Sequence, residues 1–329
     1  MADAPPNILL VICHDLGQHL GCYGWPVDTP NLCRLAAEGV RFDEYFATAP
    51  QCSPSRASIL TGQYPHACGV MGLVGGGWEL PDAADTLPKA LRSSGYETWL
   101  WGFQHENADR PAALGYDHDP IGFCRGEVPK ILARNVTPPL CQWLRSRPRE
   151  PFFASVGFFE THIPFSKRPL GPGALERIRP LPYLPDHPAI RQDLAELYND
   201  VREVDRRVGE VLDALDDAGL AERTVVLFTT DHGIAFPRAK CSLYDPGTKT
   251  ALLLRWPGRV GENRVISELL SNVDLMPTLL DLAAVPAPAG LQGRSFAGLL
   301  CGGEYRPREE VFCKLTWHTE YDPTRAIRT

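Results

Sequence analysis

The run Val225-Val226-Leu227-Phe228-Thr229-Thr230-Asp231-His232-Gly233 passes from an unbroken apolar and β-branched stretch to a carboxylate and an imidazole side by side. A strand without polar alternation has both faces covered, which is the habit of parallel sheets. Four other stretches read the same way: Ile8–Cys13, Glu97–Gly102, Phe152–Phe158 and Ala251–Arg255. Helical patterns lie between them. The clearest, Arg191–Ala218, repeats Leu194, Leu197, Val201, Val204, Val208, Val211 and Leu215 at threes and fours, with Asp193 near its start and Gly219 beyond its end. Further helices are predicted at Thr29–Glu38, Thr86–Ser93 and from Cys52 or Ser55 through Leu60. Strands alternating with helices predict an α/β fold: a mostly parallel central sheet covered by helices on both faces. The proline- and glycine-rich stretches Pro164–Pro188 and Pro286–Pro307 read as loops.

Composition narrows the function. With 329 residues, 44% of them hydrophobic, the chain can bury one large core or two modest ones. A formal charge of −7 and no basic segment argue against nucleic acid. No apolar run is long enough for a membrane span, and the start lacks the pattern of a signal peptide, so the expected location is cytoplasmic. Ten cysteines show no CxxC pair and no zinc-ligand rhythm, and read mostly as buried, reduced, small apolar residues.

In an open parallel sheet, ligands bind beyond the carboxyl ends of the strands. Here those ends run into His14-Asp15, Phe103-Gln104-His105, Glu160-Thr161-His162 and Asp231-His232. One such histidine is ordinarily a hydrogen-bonded loop residue, and one Asp-His pair can cap a helix. Four on one edge form a site. The two adjacent carboxylate and imidazole pairs could supply four ligands to a divalent cation. The lone histidines suit proton transfer or anion contact.

The stretch Pro50-Gln51-Cys52-Ser53-Pro54-Ser55-Arg56-Ala57-Ser58-Ile59-Leu60-Thr61-Gly62 sets a cysteine at a helix start, where unpaired N–H groups favour negative charge. Arg56, one turn on, lies on the same side and could hold an anion. The spacing alone allows equally a buried cysteine in a helix-entry turn beside a surface arginine.

At these residues the sequence resembles the formylglycine-dependent sulfatases of the alkaline phosphatase superfamily, whose signature Cys-x-Pro-Ser-Arg followed by Leu-Thr-Gly is met by Cys52 to Arg56 and Leu60 to Gly62. The likeness extends through Pro6–Leu10, Asp28–Leu32, Asp231–Pro237, Leu243–Gly247, Arg255–Gly258 and Val273–Leu280. Within the family it looks most like the sulfamidase branch, the N-sulfoglucosamine sulfohydrolases. The resemblance implies that a separate formylglycine-generating enzyme oxidises Cys52 to an aldehyde whose hydrate is the nucleophile. It implies a small sulfated substrate, with Asp15, Asp231 and His232 as metal ligands and the modified Cys52 reaching the same ion. It further implies that Arg56 stabilises the hydrate, that His105 takes a proton and that His162 with Lys240 grips the sulfate. A phosphonate or phosphate ester hydrolase on the same scaffold, or a non-catalytic binder of sulfated glycans, are the rival readings.

Three departures from the family pattern stand out. His14-Asp15 replaces the usual Asp-Asp, adding His14 to the ligand set. The family implies calcium, with magnesium, manganese or zinc as the other candidates, and two imidazoles shift preference from calcium toward softer ions. Gly102-Phe103-Gln104-His105 replaces Gly-Lys-x-His, so one cation beside the sulfate is missing. Finally, the resemblance implies a catalytic domain over 1–310, with 311–329 as the start of a truncated C-terminal subdomain that would carry substrate contacts.

Overall fold

The strands are β1 (Asn7–Cys13), β2 (Val40–Phe42), β3 (Tyr45–Phe46), β4 (Glu97–Gly102), β5 (Phe152–Phe158), β6 (Thr224–Thr230), β7 (Leu252–Arg255), β8 (Arg264–Ile266), β9 (Leu270–Ser271), β10 (Val311–Trp317) and β11 (Tyr321–Arg328). The computed structural model describes residues 4–108, 110–122, 127–169 and 173–329. Seven strands form one sheet in the order β4-β5-β1-β6-β7-β2-β8. Strands β4, β5, β1 and β6 run parallel, β7 is antiparallel to both its neighbours, and β2 pairs β8 in parallel. The predicted mostly parallel sheet is therefore present.

Strand β1 shows why its residues are all apolar. Leu9, Val11 and Cys13 join one core with Val136, Leu140 and Leu144 of the helix Ala133–Arg145 and with the apolar stripe of the helix Pro188–Ala218. Ile8, Leu10 and Ile12 join a second core with Leu87 and Leu91 of the helix Leu87–Ser93 and with Leu275, Leu279 and Leu280 of the helix Leu275–Leu282. Side chains alternate between faces along a strand, and here both faces are dry.

The long helix begins three residues before the predicted Arg191, at Pro188, with His187 as its N-cap, so Asp193 lies beyond the first turn. Proline fits the first helical position because its missing N–H would have no partner there. Gly219 closes the helix at φ 68°. The two segments read as loops carry short helices at Ala174–Arg177 and Ala297–Cys301, and residues 170–172 lie outside the described residues. Of the cysteines, Cys13, Cys52, Cys68, Cys141 and Cys313 are buried, Cys22, Cys33 and Cys241 are half-buried, and Cys301 is exposed. Cys124 lies outside the described residues.

The last segment is an antiparallel hairpin, β10 with β11, in which Lys314 faces Arg325. It is tied to the entry of the helix Cys52–Thr61: Lys314 N donates to Thr48 O at 2.8 Å, and Gln51 Nε2 to Trp317 O at 2.8 Å. Among the described residues no helix is long and apolar enough to cross a membrane.

Candidate active site

Because β1, β4, β5 and β6 are parallel, their carboxyl ends share one edge, and the polar residues that follow them converge there. Asp231, after β6, organises the centre. Its Oδ1 accepts the backbone N–H groups of Asp15 and His232, each at 2.9 Å, and its Oδ2 accepts Arg56 Nε at 2.9 Å. Asp15, after β1, takes a left-handed backbone conformation at φ 46°. Its Oδ1 lies 2.6 Å from His14 Nδ1 and 2.9 Å from His232 Nε2, and its Oδ2 lies 2.6 Å from Lys240 Nζ. Cys52, the first residue of the helix Cys52–Thr61, places its Sγ 3.4 Å from His232 Nε2 and 4.0 Å from Asp15 Oδ1.

Ligand atoms of His14, Asp15, Cys52, Asp231 and His232 all lie within 4.8 Å of one another, and all five residues are buried. Ligands on opposite sides of an ion bound at about 2.3–2.6 Å stand roughly 4.6–5.2 Å apart, so the cluster is the right size for one divalent cation. Two carboxylates and two imidazoles fit such an ion, and the nitrogen donors set it apart from an all-oxygen calcium cage. Arg56 Nη2 is buried with no hydrogen-bond partner, leaving a donor ready for an anion or a hydroxyl formed at position 52.

The electrostatics follow from this crowding. Burial alone would push the Cys52 thiol up, but the cationic forms of His14 and Lys240 hold it well below its usual value. Burial alone would lower His14, yet Asp15 and Asp231 raise it to about 9. The same two carboxylates raise His232 against its burial. Asp15 is held below the usual carboxylate range because His14, His232 and Lys240 outweigh its desolvation.

The remaining predicted residues sit around this cluster. Lys240 is 14% exposed and His162 28% exposed, with His162 Nε2 3.9 Å from Asp15 Oδ2, so they are the more open members. His105 stands farther off, against Phe103, with ring centroids 5.5 Å apart and its Nδ1 buried without a partner. Phe103, in the place of the family's lysine, lies under the Arg56 guanidinium at 4.6 Å and beside His14 at 4.8 Å. The two departures from the family pattern thus touch one another. Gln104 is spent on its own loop: its Oε1 accepts from Glu106 N and Asn107 N, and its Nε2 donates to Asn107 O. Glu106 escaped the sequence reading; it is buried, accepts His105 N at 2.7 Å and feels the Arg56 charge. A carboxylate directly after a strand-end histidine was the available signal.

The carboxyl edge of this mostly parallel sheet thus gathers a cysteine, an arginine and a buried cluster of carboxylates and imidazoles sized for one cation. The sulfatase family model matches residues 6–285, and the chain belongs to that family. It is 28% identical to the ulvan-active sulfatase of Formosa agariphila, over 98% of this chain and 59% of that protein. It is 32% identical to human arylsulfatase A, over 99% and 73%, and 32% identical to human N-sulphoglucosamine sulphohydrolase, over 87% and 62%. The chain thus spans between 59% and 73% of the length of these relatives. Among solved structures, one in complex with its substrate D-glucosamine-2-N,6-O-disulfate superposes with a TM-score of 0.78 at 20% identity, covering 99% of this chain and 87% of that one. The phosphonate monoester hydrolase of Silicibacter pomeroyi gives 0.75 at 23% identity, covering 97% and 81%.

Proposed function

We propose that this chain hydrolyses sulfate esters or sulfamates of sugars, with Cys52, converted to formylglycine by a separate enzyme, as the nucleophile. The observation that carries this reading is the position of Cys52 Sγ inside the carboxylate and imidazole cluster, at a helix N-terminus and one turn from Arg56. A divalent ion held by His14, Asp15, Asp231 and His232 would supply Lewis acidity and ease ionisation of a hydroxyl at position 52. The free Arg56 Nη2 would hold that hydroxyl and its charge. Lys240 Nζ would bind the sulfate oxygens, and His162, the most open imidazole of the group, would give a proton to the departing oxygen or nitrogen. His105 would take the proton when the remaining hydroxyl collapses to release sulfate. Similarity to N-sulphoglucosamine sulphohydrolase supports a sugar sulfamate as substrate, and similarity to arylsulfatase A supports sulfate esters.

Coexpression with a formylglycine-generating enzyme tests the proposal. The Cys52 peptide should shift by the mass difference between thiol and aldehyde, and the protein should release sulfate from N-sulfoglucosamine or a sugar O-sulfate. Activity retained in Cys52→Ala would overturn the nucleophile. Phosphate release from an aryl phosphonate with no sulfate release would favour the phosphonate hydrolase reading instead.

A further inference from the structure

The proposed chemistry assigns no task to Phe103, yet this apolar side chain stands inside the site. Gly102, at φ 88°, turns the chain out of β4, and Phe103 N donates to Gly157 O of β5 at 2.9 Å. A Cβ at Gly157 would collide with the Phe103 carbonyl, so glycine there lets the two backbones close up. Pinned in this way, the Phe103 ring is 5% exposed and lies against two groups at once. The Arg56 guanidinium is 4.6 Å from its centroid, and the His14 ring is 4.8 Å away with the planes at 32°.

His14 is gripped from two further sides. Phe159 meets it edge-on at 5.7 Å and 71°, and His162 at 4.7 Å and 77°. Phe159 also meets Phe103 edge-on at 5.5 Å and 80°, and packs on His162 at 4.9 Å, so the rings brace one another. All these separations fall within the roughly 4.5–7 Å of favourable ring pairs. In this grip His14 Nδ1 faces the carboxylates, 2.6 Å from Asp15 Oδ1 and 3.4 Å from Asp231 Oδ2. A histidine that binds a metal commonly has its plane fixed by an outer hydrogen bond. Here packed rings hold that plane.

We infer that Phe103 is a positioning residue for His14, and through His14 sets which ion the site takes. The inference rests on the buried cluster being a cation site. Calcium draws its affinity from oxygen ligands and gains little from imidazole, whereas zinc and other first-row ions bind nitrogen well. With the Phe103 ring in place, His14 presents its nitrogen in a fixed orientation and the site prefers zinc to calcium. Without the ring the imidazole is free to swing away and the preference falls, while Asp15 and Asp231 still hold calcium.

Equilibrium ion binding tests this without turnover. Zinc and calcium are titrated separately by calorimetry into Cys52→Ala protein, in which no thiol adds its own preference for zinc, and into the same protein carrying Phe103→Leu, His14→Asp or both. Phe103→Leu should weaken zinc about tenfold, the lower end of what losing an outer support costs a metal site, and leave calcium nearly unchanged. In the His14→Asp background it should change neither, because the group it positions is gone. Cobalt(II), titrated in parallel, should show a visible absorption band that Phe103→Leu alters only when His14 is present. Unchanged zinc affinity would overturn the inference. So would equal weakening of both ions, or the same loss with and without His14, since either would mean a ring that merely fills space. If Phe103→Leu does not fold, Phe103→Met takes its place, and failure of both to fold would overturn the inference by making Phe103 a core residue. Binding of neither ion to the Cys52→Ala protein would strike the cation reading itself, and the inference with it.

Discussion

Asp231 is the residue on which the site turns, since it orients Asp15 and His232 through their backbones and neutralises Arg56, both partners being nearly inaccessible. Removing one partner of such a buried pair leaves an uncompensated charge, a loss of about 3–5 kcal/mol. Asp231→Ala should show that loss in denaturant unfolding, and a divalent ion should raise the melting temperature of the parent protein but not of the variant. Retained metal-dependent stabilisation would place the ion elsewhere. His162 allows a sharper functional test. If it protonates the leaving group, His162→Ala should slow a sugar sulfate or sulfamate by about 10²–10⁴-fold and a nitrophenyl sulfate, which leaves as a stable phenolate, far less. Equal losses on both substrates would make it a sulfate ligand only. The structure brings the five residues of the cation cluster together; sequence reading singled out His14, Asp15, Asp231 and His232 because each follows a strand, a position readable from local pattern, and Cys52 through the family resemblance. It could not see that Phe103 packs on both Arg56 and His14, because that contact joins three separate elements.

At the level of elements, five buried strands were legible because an unbroken apolar run has few other uses. The three-residue strands β2 and β8 are too short to show a period. The helix Ala133–Arg145 was hidden by Pro138 and Pro139, which ordinarily end a helix. It persists because Val136, Leu140 and Leu144 are fully buried beneath the sheet, so tertiary packing outweighs local preference. The long helix hides a second contact. Asp205 accepts Asn31 N, Asn31 Nδ2 and Leu32 N, thereby satisfying the first turn of the helix Pro30–Ala37. One turn on, Gly209 makes room for Asn31: a Cβ there would come within 2.4 Å of Asn31 Oδ1. Gly209→Ala should therefore destabilise by roughly 1–3 kcal/mol, as overpacking does, although alanine is the better helix former. A higher urea midpoint for the variant would show that Asn31 moves aside at no cost.

For the molecule as a whole, the alternation of strands and helices sufficed to foresee a mostly parallel sheet and the edge at which its polar strand-end residues converge. The antiparallel insertion of β7 between β6 and β2 was not foreseen, since nothing local in Leu252–Arg255 encodes direction. The hairpin β10–β11 was visible only as a strand start, because its partner Tyr321–Arg328 is exposed along most of its length and lacks an apolar face. Assembly order has a bearing on Cys52. The thiol is 2% exposed once folded, enclosed by groups supplied far later in the chain: His232 follows it by 180 residues, and Trp317, which holds Gln51, follows that residue by 266. At about 5–20 residues per second of synthesis, the cysteine stays open for roughly 10–50 s before its walls exist. If Cys52 is converted as proposed, maturation would be a race between the modifying enzyme and the ribosome rather than a reaction of the finished protein. Folded, unconverted protein mixed with that enzyme should keep its thiol, whereas the same chain unfolded in urea and diluted into the enzyme should be converted, as read from the mass of the Cys52 peptide. Equal conversion of both would mean that the closed site opens readily enough for the clock not to matter.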